Sequence, residues 1–122
     1  HFTLVDSIGK KIKVVAEVSE ALGLSNVSPI HGRAEKVKSR FDFVVSRAVT
    51  QMSAFVPWVR NSFKQENKHP KPNGIFYLKG GDLKEELKPF ENKGLEIFNL
   101  KEYFEADFFE TKKVVYLPIN KK

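Results

Sequence analysis

The chain has 122 residues and a mass of 14.0 kDa, enough for one small domain. Apolar residues at 41% and charged residues at 30% exclude global disorder, and the absence of cysteine excludes a disulfide scaffold, a thiolate zinc site and a cysteine nucleophile. The net charge of +6 and a pI near 9.5 favour polyanionic partners, nucleic acid or an anionic membrane surface, with ordinary solubility charge as the plain alternative.

The chain opens on Phe2-Thr3-Leu4-Val5-Asp6, which reads as the middle of a buried strand. With neither Met nor a leader ahead of it, the expectation is a piece of a longer protein. From Ile8 to Leu22 the pattern turns helical, with Ile12, Val15, Ala16, Val18 and Leu22 on one side and lysines and glutamates on the other. Gly23 stands where a helix C-terminus belongs. Residues 26–32 read as a short second strand, and Arg33 to Lys38 as a polar connection with about one helical turn. Phe41 to Ser46 is the clearest buried strand, with Arg47-Ala48-Val49 leading out of it. Met52 to Phe63 is a helix with Pro57 inside it. Residues 65–73 form a polar loop, and Gly74 to Leu78 is a strand ending in Lys79-Gly80-Gly81. A short helix follows over 82–87 with Asp82 as its cap. Leu95 to Phe104 and Lys113 to Ile119 are closing strands joined by an acidic turn. This alternation predicts an open, mainly parallel α/β sheet. The short last link requires an antiparallel hairpin, because a parallel pair needs a longer crossover.

Ligands of open α/β sheets bind beyond the carboxyl ends of the strands, so the residues just past each strand are the candidates. Asp6 suits the two hydroxyls of a ribose, since one carboxylate accepts both donors; capping the following helix is an equal alternative, and Ser7 offers a second cap. Ala34 beside Glu35 suits an adenine and its exocyclic amine, against a plain solvated turn. Arg47 closes an apolar strand, where a cation needs a ligand carboxylate or phosphate, or else an ion pair with Asp6, Glu35 or Asp42. Lys79 ends the next strand in the same way, and Gly80-Gly81 permits close backbone approach or a simple turn. Lys10, Lys11, Lys13, Arg33, Arg40, Arg47 and Lys79 together make a basic rim for an RNA backbone. The 11 phenylalanines sit mostly at core spacing, so no base-stacking platform is predicted. The three histidines have no metal spacing, and no metal site is expected.

Four segments in order and spacing resemble one family. They are Phe2-Thr3-Leu4-Val5-Asp6-Ser7 with Lys10-Lys11; Gly32-Arg33-Ala34-Glu35; Phe41-Asp42 with Val44-Val45-Ser46-Arg47-Ala48; and Leu78-Lys79-Gly80-Gly81. The family is the bacterial methyltransferase of the guanine N7 atom in small-subunit (16S) ribosomal RNA, also called glucose-inhibited division protein B. The resemblance covers nearly the whole chain and is densest from Phe2 to Ala48.

The resemblance implies a Rossmann-like class I methyltransferase sheet with S-adenosyl-L-methionine as methyl donor. It places Asp6 and Ser7 at the cofactor ribose, Ala34 and Glu35 at its adenine, and Arg47 at the cofactor and substrate mouth. Arg47 and Lys79 would serve in the catalytic pocket, and Lys10, Arg33 and Lys79 at the RNA. It also implies small-subunit rRNA or the 30S subunit as partner, a cytoplasmic location and no membrane. The family's first strand, Gly-rich loop and N-terminal helices should precede His1, so residues 1–122 read as the C-terminal part of a single methyltransferase domain, inactive alone. Two other readings remain: a non-catalytic RNA- or ribosome-binding α/β module, and a dinucleotide-binding oxidoreductase domain, which would need a G-x-G-x-x-G loop.

Overall fold

The computed structural model describes residues 1–47 and 50–120. Ala48, part of one recognised segment, lies outside the described residues, as does Val49. The chain divides into two compact units, His1–Lys38 and Ser39–Lys122.

The first unit is a strand–helix–strand unit. β1 (Phe2–Asp6) and β2 (Val27–His31) pair in parallel, from Phe2 opposite Val27 to Asp6 opposite His31. Helix α1 (Gly9–Ala21) connects them. Its C-terminus follows from Gly23, whose φ of +66° lets the Gly23 and Leu24 amides turn back to the carbonyls of Glu20 and Ser19, 3.0 and 2.9 Å away. The predicted helix is present, but its apolar face is only partly used. Ile12 and Val15 are half-buried, whereas Val18 and Leu22 are 50% and 67% exposed and no α1 side chain is buried. A single 3-10 turn, Ala34–Lys36, supplies the predicted polar connection.

The second unit holds the rest. Its strands are β3 (Phe43–Arg47), β4 (Gly74–Gly80), β5 (Glu96–Asn99) and β6 (Lys112–Pro118), in the spatial order β3-β4-β6-β5. β3 and β4 are parallel, and β6 runs antiparallel to both β4 and β5. The antiparallel closing pair was predicted; the insertion of β6 between β4 and β5 was not. The described strands thus comprise a parallel two-stranded sheet in the first unit and a mixed four-stranded sheet in the second.

The period-two pattern of β4 and β6 explains the core. Ile75 lies opposite Leu117 and Tyr77 opposite Val115, all buried on one face. Helix α2 (Met52–Val59) buries Met52, Phe55, Val56 and Val59, and the Phe55 ring meets the Tyr77 ring edge-on at 4.9 Å. α2 carries Pro57 and ends at Val59, earlier than the predicted Phe63, and Phe63 instead bridges in parallel to Phe41. On the opposite face Phe43, Phe76 and Tyr116 make a row across three strands, with centroids 5.5 and 4.9 Å apart. The 65–73 loop closes by that row: His69 lies against Phe43 at 5.3 Å, and Lys71 sits over the Tyr116 ring at 4.8 Å and pairs with Glu96 at 2.6 Å. Buried Asn73 organises the loop by donating to the carbonyls of Lys64 and Glu66, both at 2.9 Å. Burial raises the Tyr116 phenol above its ordinary pKa, and the Glu96 carboxylate adds to the shift.

Helix α3 (Lys84–Leu87) follows β4; its cap position is Leu83, one residue after the predicted Asp82, whose carboxylate nonetheless accepts the Lys84 amide at 3.0 Å. The strand predicted over 95–104 is shorter, because the chain turns into 3-10 geometry at Leu100–Glu102. No helix among the described residues is long and apolar enough to cross a membrane.

Candidate functional site

In the first unit the candidates gather at the carboxyl edge of β1 and β2. Asp6 is the last residue of β1 and lies opposite His31. Its Oδ1 accepts the Ile8 amide at 2.8 Å, so it does hold the turn into α1. The second carboxylate oxygen has no partner among the described residues and keeps its acceptor capacity, while the residue is half-buried. The Asp6 carbonyl accepts the Gly32 amide at 3.0 Å, which brings the start of the Gly32-Arg33-Ala34-Glu35 segment against the end of β1. Ser7 is exposed; its carbonyl accepts from the His31 ring at 3.1 Å, and its side chain caps nothing at the helix start. Gly9 permits this packing: a Cβ there would come within 3.2 Å of the His31 ring. His31 was among the residues just past the strands but had no role assigned to it, since no spacing signal marks a histidine that holds a turn.

Ala34 is half-buried and Glu35 exposed at the same edge. Arg33 and Glu35 approach at 3.8 Å, an exposed pair worth at most about 1 kcal/mol and readily exchanged for a ligand. Lys10 lies exposed in the first turn of α1, followed by Lys11 and Lys13, with no acidic residue in that turn. Cations there oppose the helix macrodipole at a cost of about 0.3–1 kcal/mol each, so this edge concentrates positive potential against the preference of the helix.

In the second unit Arg47 closes β3 opposite Leu78. It is exposed and forms no ion pair among the described residues of its unit, so the alternative of pairing with Asp42 is not realised. Arg40 is tied back to the Phe63 carbonyl at 3.4 Å.

Lys79 departs from the expectation of a cation offered to RNA or a catalytic pocket. Its side chain is only 12% exposed. The ammonium pairs with Glu86 at 2.8 Å, donates to the Thr50 carbonyl at 2.6 Å and rests over the Tyr77 ring at 4.1 Å. The Glu86 oxygen that receives Lys79 also accepts the Met52 amide at 3.0 Å, in the first turn of α2. Tyr77 completes the group: its hydroxyl donates to the Thr50 carbonyl at 2.5 Å and accepts the Thr50 amide at 2.8 Å. Sequence reading missed Tyr77, Glu86 and Thr50, which no local pattern links. Tyr103, Phe104 and Phe108 are at least half exposed.

Two surface depressions of about 280 and 330 Å³ lie in the second unit. The first is lined by Leu83, Leu87 and Ile97, the second by Val56, Phe90 and Leu117, among others, and neither includes a predicted site residue. Among the described residues no group of three or more His, Asp or Glu side chains is placed to hold a metal ion.

Parallel strands with helical crossovers, an acid closing β1 and an antiparallel β6 define a Rossmann-like α/β fold of the class I methyltransferase type. Solved structures agree at the level of fold. An rRNA methylase from Streptococcus thermophilus superposes with a TM-score of 0.64 at 8% identity, covering 98% of this chain and 73% of that one. A single-residue mutant of MtNAS in complex with S-adenosylmethionine gives 0.60 at 14% identity over 95% of this chain and 44% of that one.

Sequence comparison is more specific. The family model GidB, rRNA small subunit methyltransferase G, matches residues 1–112, and the chain belongs to that family. The protein named ribosomal RNA small subunit methyltransferase G is 58% identical over 121 residues in Christiangramia forsetii and 55% identical over 122 residues in Flavobacterium johnsoniae. Those alignments cover 99% and 100% of this chain but 56% and 57% of the relatives, so the chain spans little more than half their length.

Proposed function

We propose that this chain is part of a single methyltransferase domain that transfers a methyl group from S-adenosyl-L-methionine to a guanine N7 atom of small-subunit ribosomal RNA, in the cytoplasm, on free rRNA or the 30S subunit. The match of residues 1–112 to a family of rRNA methyltransferases carries this reading.

The residues present suit such a donor. Asp6 has one carboxylate oxygen committed to the turn and one uncommitted, the acceptor that a ribose diol requires. Ser7, Ala34 and Glu35 share its edge and are assigned to the adenosine part. Lys10 and Arg33 are exposed cations at that edge and are assigned to the RNA backbone. Arg47, exposed and unpaired among the described residues, is assigned to a carboxylate or phosphate at the catalytic mouth. The donor supplies a sulfonium-bound methyl group. The N7 lone pair forms the new N–C bond as the S–C bond breaks and its electron pair returns to sulfur. No proton moves in that step, so no general base is assigned; catalysis rests on holding nitrogen and methyl in line.

The test is labelled-methyl transfer from S-adenosyl-L-methionine to undermethylated small-subunit RNA or subunits, using the full-length protein. The expected result is label in a guanine, with Asp6→Ala and Arg47→Ala each lowering transfer by at least about tenfold. Retained activity in both variants overturns the site assignments. RNA binding without any transfer would leave the non-catalytic binding module as the function.

A further inference from the structure

We infer that Lys79 is a positioning residue: with Tyr77 and Glu86 it forms an internal clamp on the Thr50 backbone and the start of α2, three residues after Arg47 closes β3. The inference deepens the proposed function and rests, for its effect on RNA, on the reading of Arg47 as an anion-binding group. The clamp itself stands on distances within the second unit.

Three side chains from two elements converge on one short stretch of backbone. Both backbone polar groups of Thr50 are engaged by the Tyr77 hydroxyl, at 2.8 Å to the amide and 2.5 Å to the carbonyl. Lys79 adds a second donor to that carbonyl at 2.6 Å. Glu86 holds the Met52 amide at 3.0 Å and balances Lys79 at 2.8 Å. Gln51, the boundary residue of α2, makes no side-chain cap of its own, so a carboxylate from α3 satisfies the helix start from outside. The Lys79 and Glu86 side chains are only 12% and 16% exposed, so the pair is shielded and either partner alone would be a costly buried charge.

The register shows why this matters at the carboxyl edge. Arg47 is pinned in the β3–β4 ladder opposite Leu78, and Thr50 is pinned three residues later. A three-residue span reaches at most about 10 Å, so the clamp holds the start of α2 close to the strand end that carries Arg47. Lys79 also stands opposite Lys113 in the β4–β6 ladder, an unfavourable placement for like charges unless each is engaged elsewhere. Lys113 donates to the Gly81 carbonyl at 2.9 Å, and Lys79 turns to the clamp. An ammonium with a carboxylate, a carbonyl and an aromatic face around it has little capacity left for a phosphate.

The experiment uses full-length protein and the variants Lys79→Met, Glu86→Gln and the double Lys79→Met/Glu86→Leu, which leaves no orphaned charge if a single variant fails to fold. Ligand-free hydrogen exchange reads the clamp. RNA binding at several salt concentrations reads the phosphate contacts. The expected result is exchange of the Thr50 and Met52 amides faster by about tenfold in Lys79→Met and in the double variant, the size of a charge-assisted hydrogen bond. Glu86→Gln, which keeps an acceptor, shows a smaller change. The salt slope of RNA binding stays at the parent value in all three, while Lys10→Ala, at a residue assigned to the RNA backbone, lowers it by about 1. A salt slope reduced by about 1 in Lys79→Met, with unchanged exchange, overturns the inference and makes Lys79 an RNA contact. Unchanged exchange at both amides in the double variant also overturns it. Absence of RNA binding in every form counts against the proposed function, and the exchange result still decides the clamp.

Discussion

Helices α1 and α2 are both amphipathic, and the two units treat them differently. Every buried hydrophobic side chain among the described residues belongs to the second unit. α2 buries Met52, Phe55, Val56 and Val59, whereas α1 buries nothing, and Val14, Val18 and Leu22 are each at least half exposed. Phe2 and Leu4 of β1 are exposed as well, at 61% and 38%. Amphipathic spacing therefore tells which side of an element seeks cover. Whether cover exists depends on the unit the helix belongs to: the second unit holds a four-stranded sheet, the first only a two-stranded one.

That contrast can be broken by substitution. Ile75→Ala, at a fully buried site, is expected to destabilise the second unit by about 2–5 kcal/mol in chemical denaturation. Val14→Ala, at 56% exposure, is expected to stay within about 0.5 kcal/mol. Equal costs would mean that the α1 face is packed in solution, and the contrast would fall. Gly74→Ala comes next: a Cβ there would lie 2.3 Å from the Leu117 carbonyl oxygen, a backbone atom held in the β4–β6 ladder. The expected loss is about 1–3 kcal/mol, read as a lower Tm, and a neutral result would show that the ladder yields at this point.

Asp6 sharpens the contrast from the other side, since the first unit depends on turn chemistry more than on burial. Asp6→Ala removes the acceptor of the Ile8 amide and is expected to cost about 1 kcal/mol, while Asp6→Asn keeps the acceptor and most of the stability. Under the proposed function both variants weaken cofactor binding in calorimetry, so stability and affinity separate in the Asn variant. The smallest effect concerns Tyr116. Its phenol holds its proton more tightly folded than unfolded, so its contribution to stability is full below about pH 10 and is lost as pH rises through the folded value. Tyr116→Phe is expected to flatten that alkaline decline, at a cost of about 1 kcal/mol from the lost 2.6 Å bond to the Pro72 carbonyl. An unchanged alkaline limb would assign the decline to other groups.

Much of the fold was legible because apolar runs and glycines act locally. Phe41 to Ser46, Gly74 to Leu78 and Lys113 to Ile119 announced the strands observed at Phe43–Arg47, Gly74–Gly80 and Lys112–Pro118, and Gly23 marked the end of α1 at a positive φ. Strand order was not legible: nothing in the residues of β6 tells that it lies between β4 and β5, since pairing depends on long-range competition for edges. The carboxyl-edge position of Asp6 followed from its place after an apolar run. The engagement of Lys79 did not, because its partners Thr50 and Glu86 come from separate elements and only folding brings them together. Phe104 shows the same limit: it closes the strand predicted over 95–104, yet the strand ends at Asn99 and the ring is 50% exposed.

The place of β6 has a consequence for synthesis. A ribosome delivers Lys112–Pro118 after the other strands of the sheet, yet those residues are the inner neighbours of β4 and β5. Until they emerge, the nascent chain carries β4 with one unsatisfied edge and β5 with no partner at all. The second unit therefore cannot mature strand by strand as it is made; its core waits for a late segment to slot into a gap kept open by its elders, and translation stalled before Lys112 leaves sticky edges rather than a smaller stable protein.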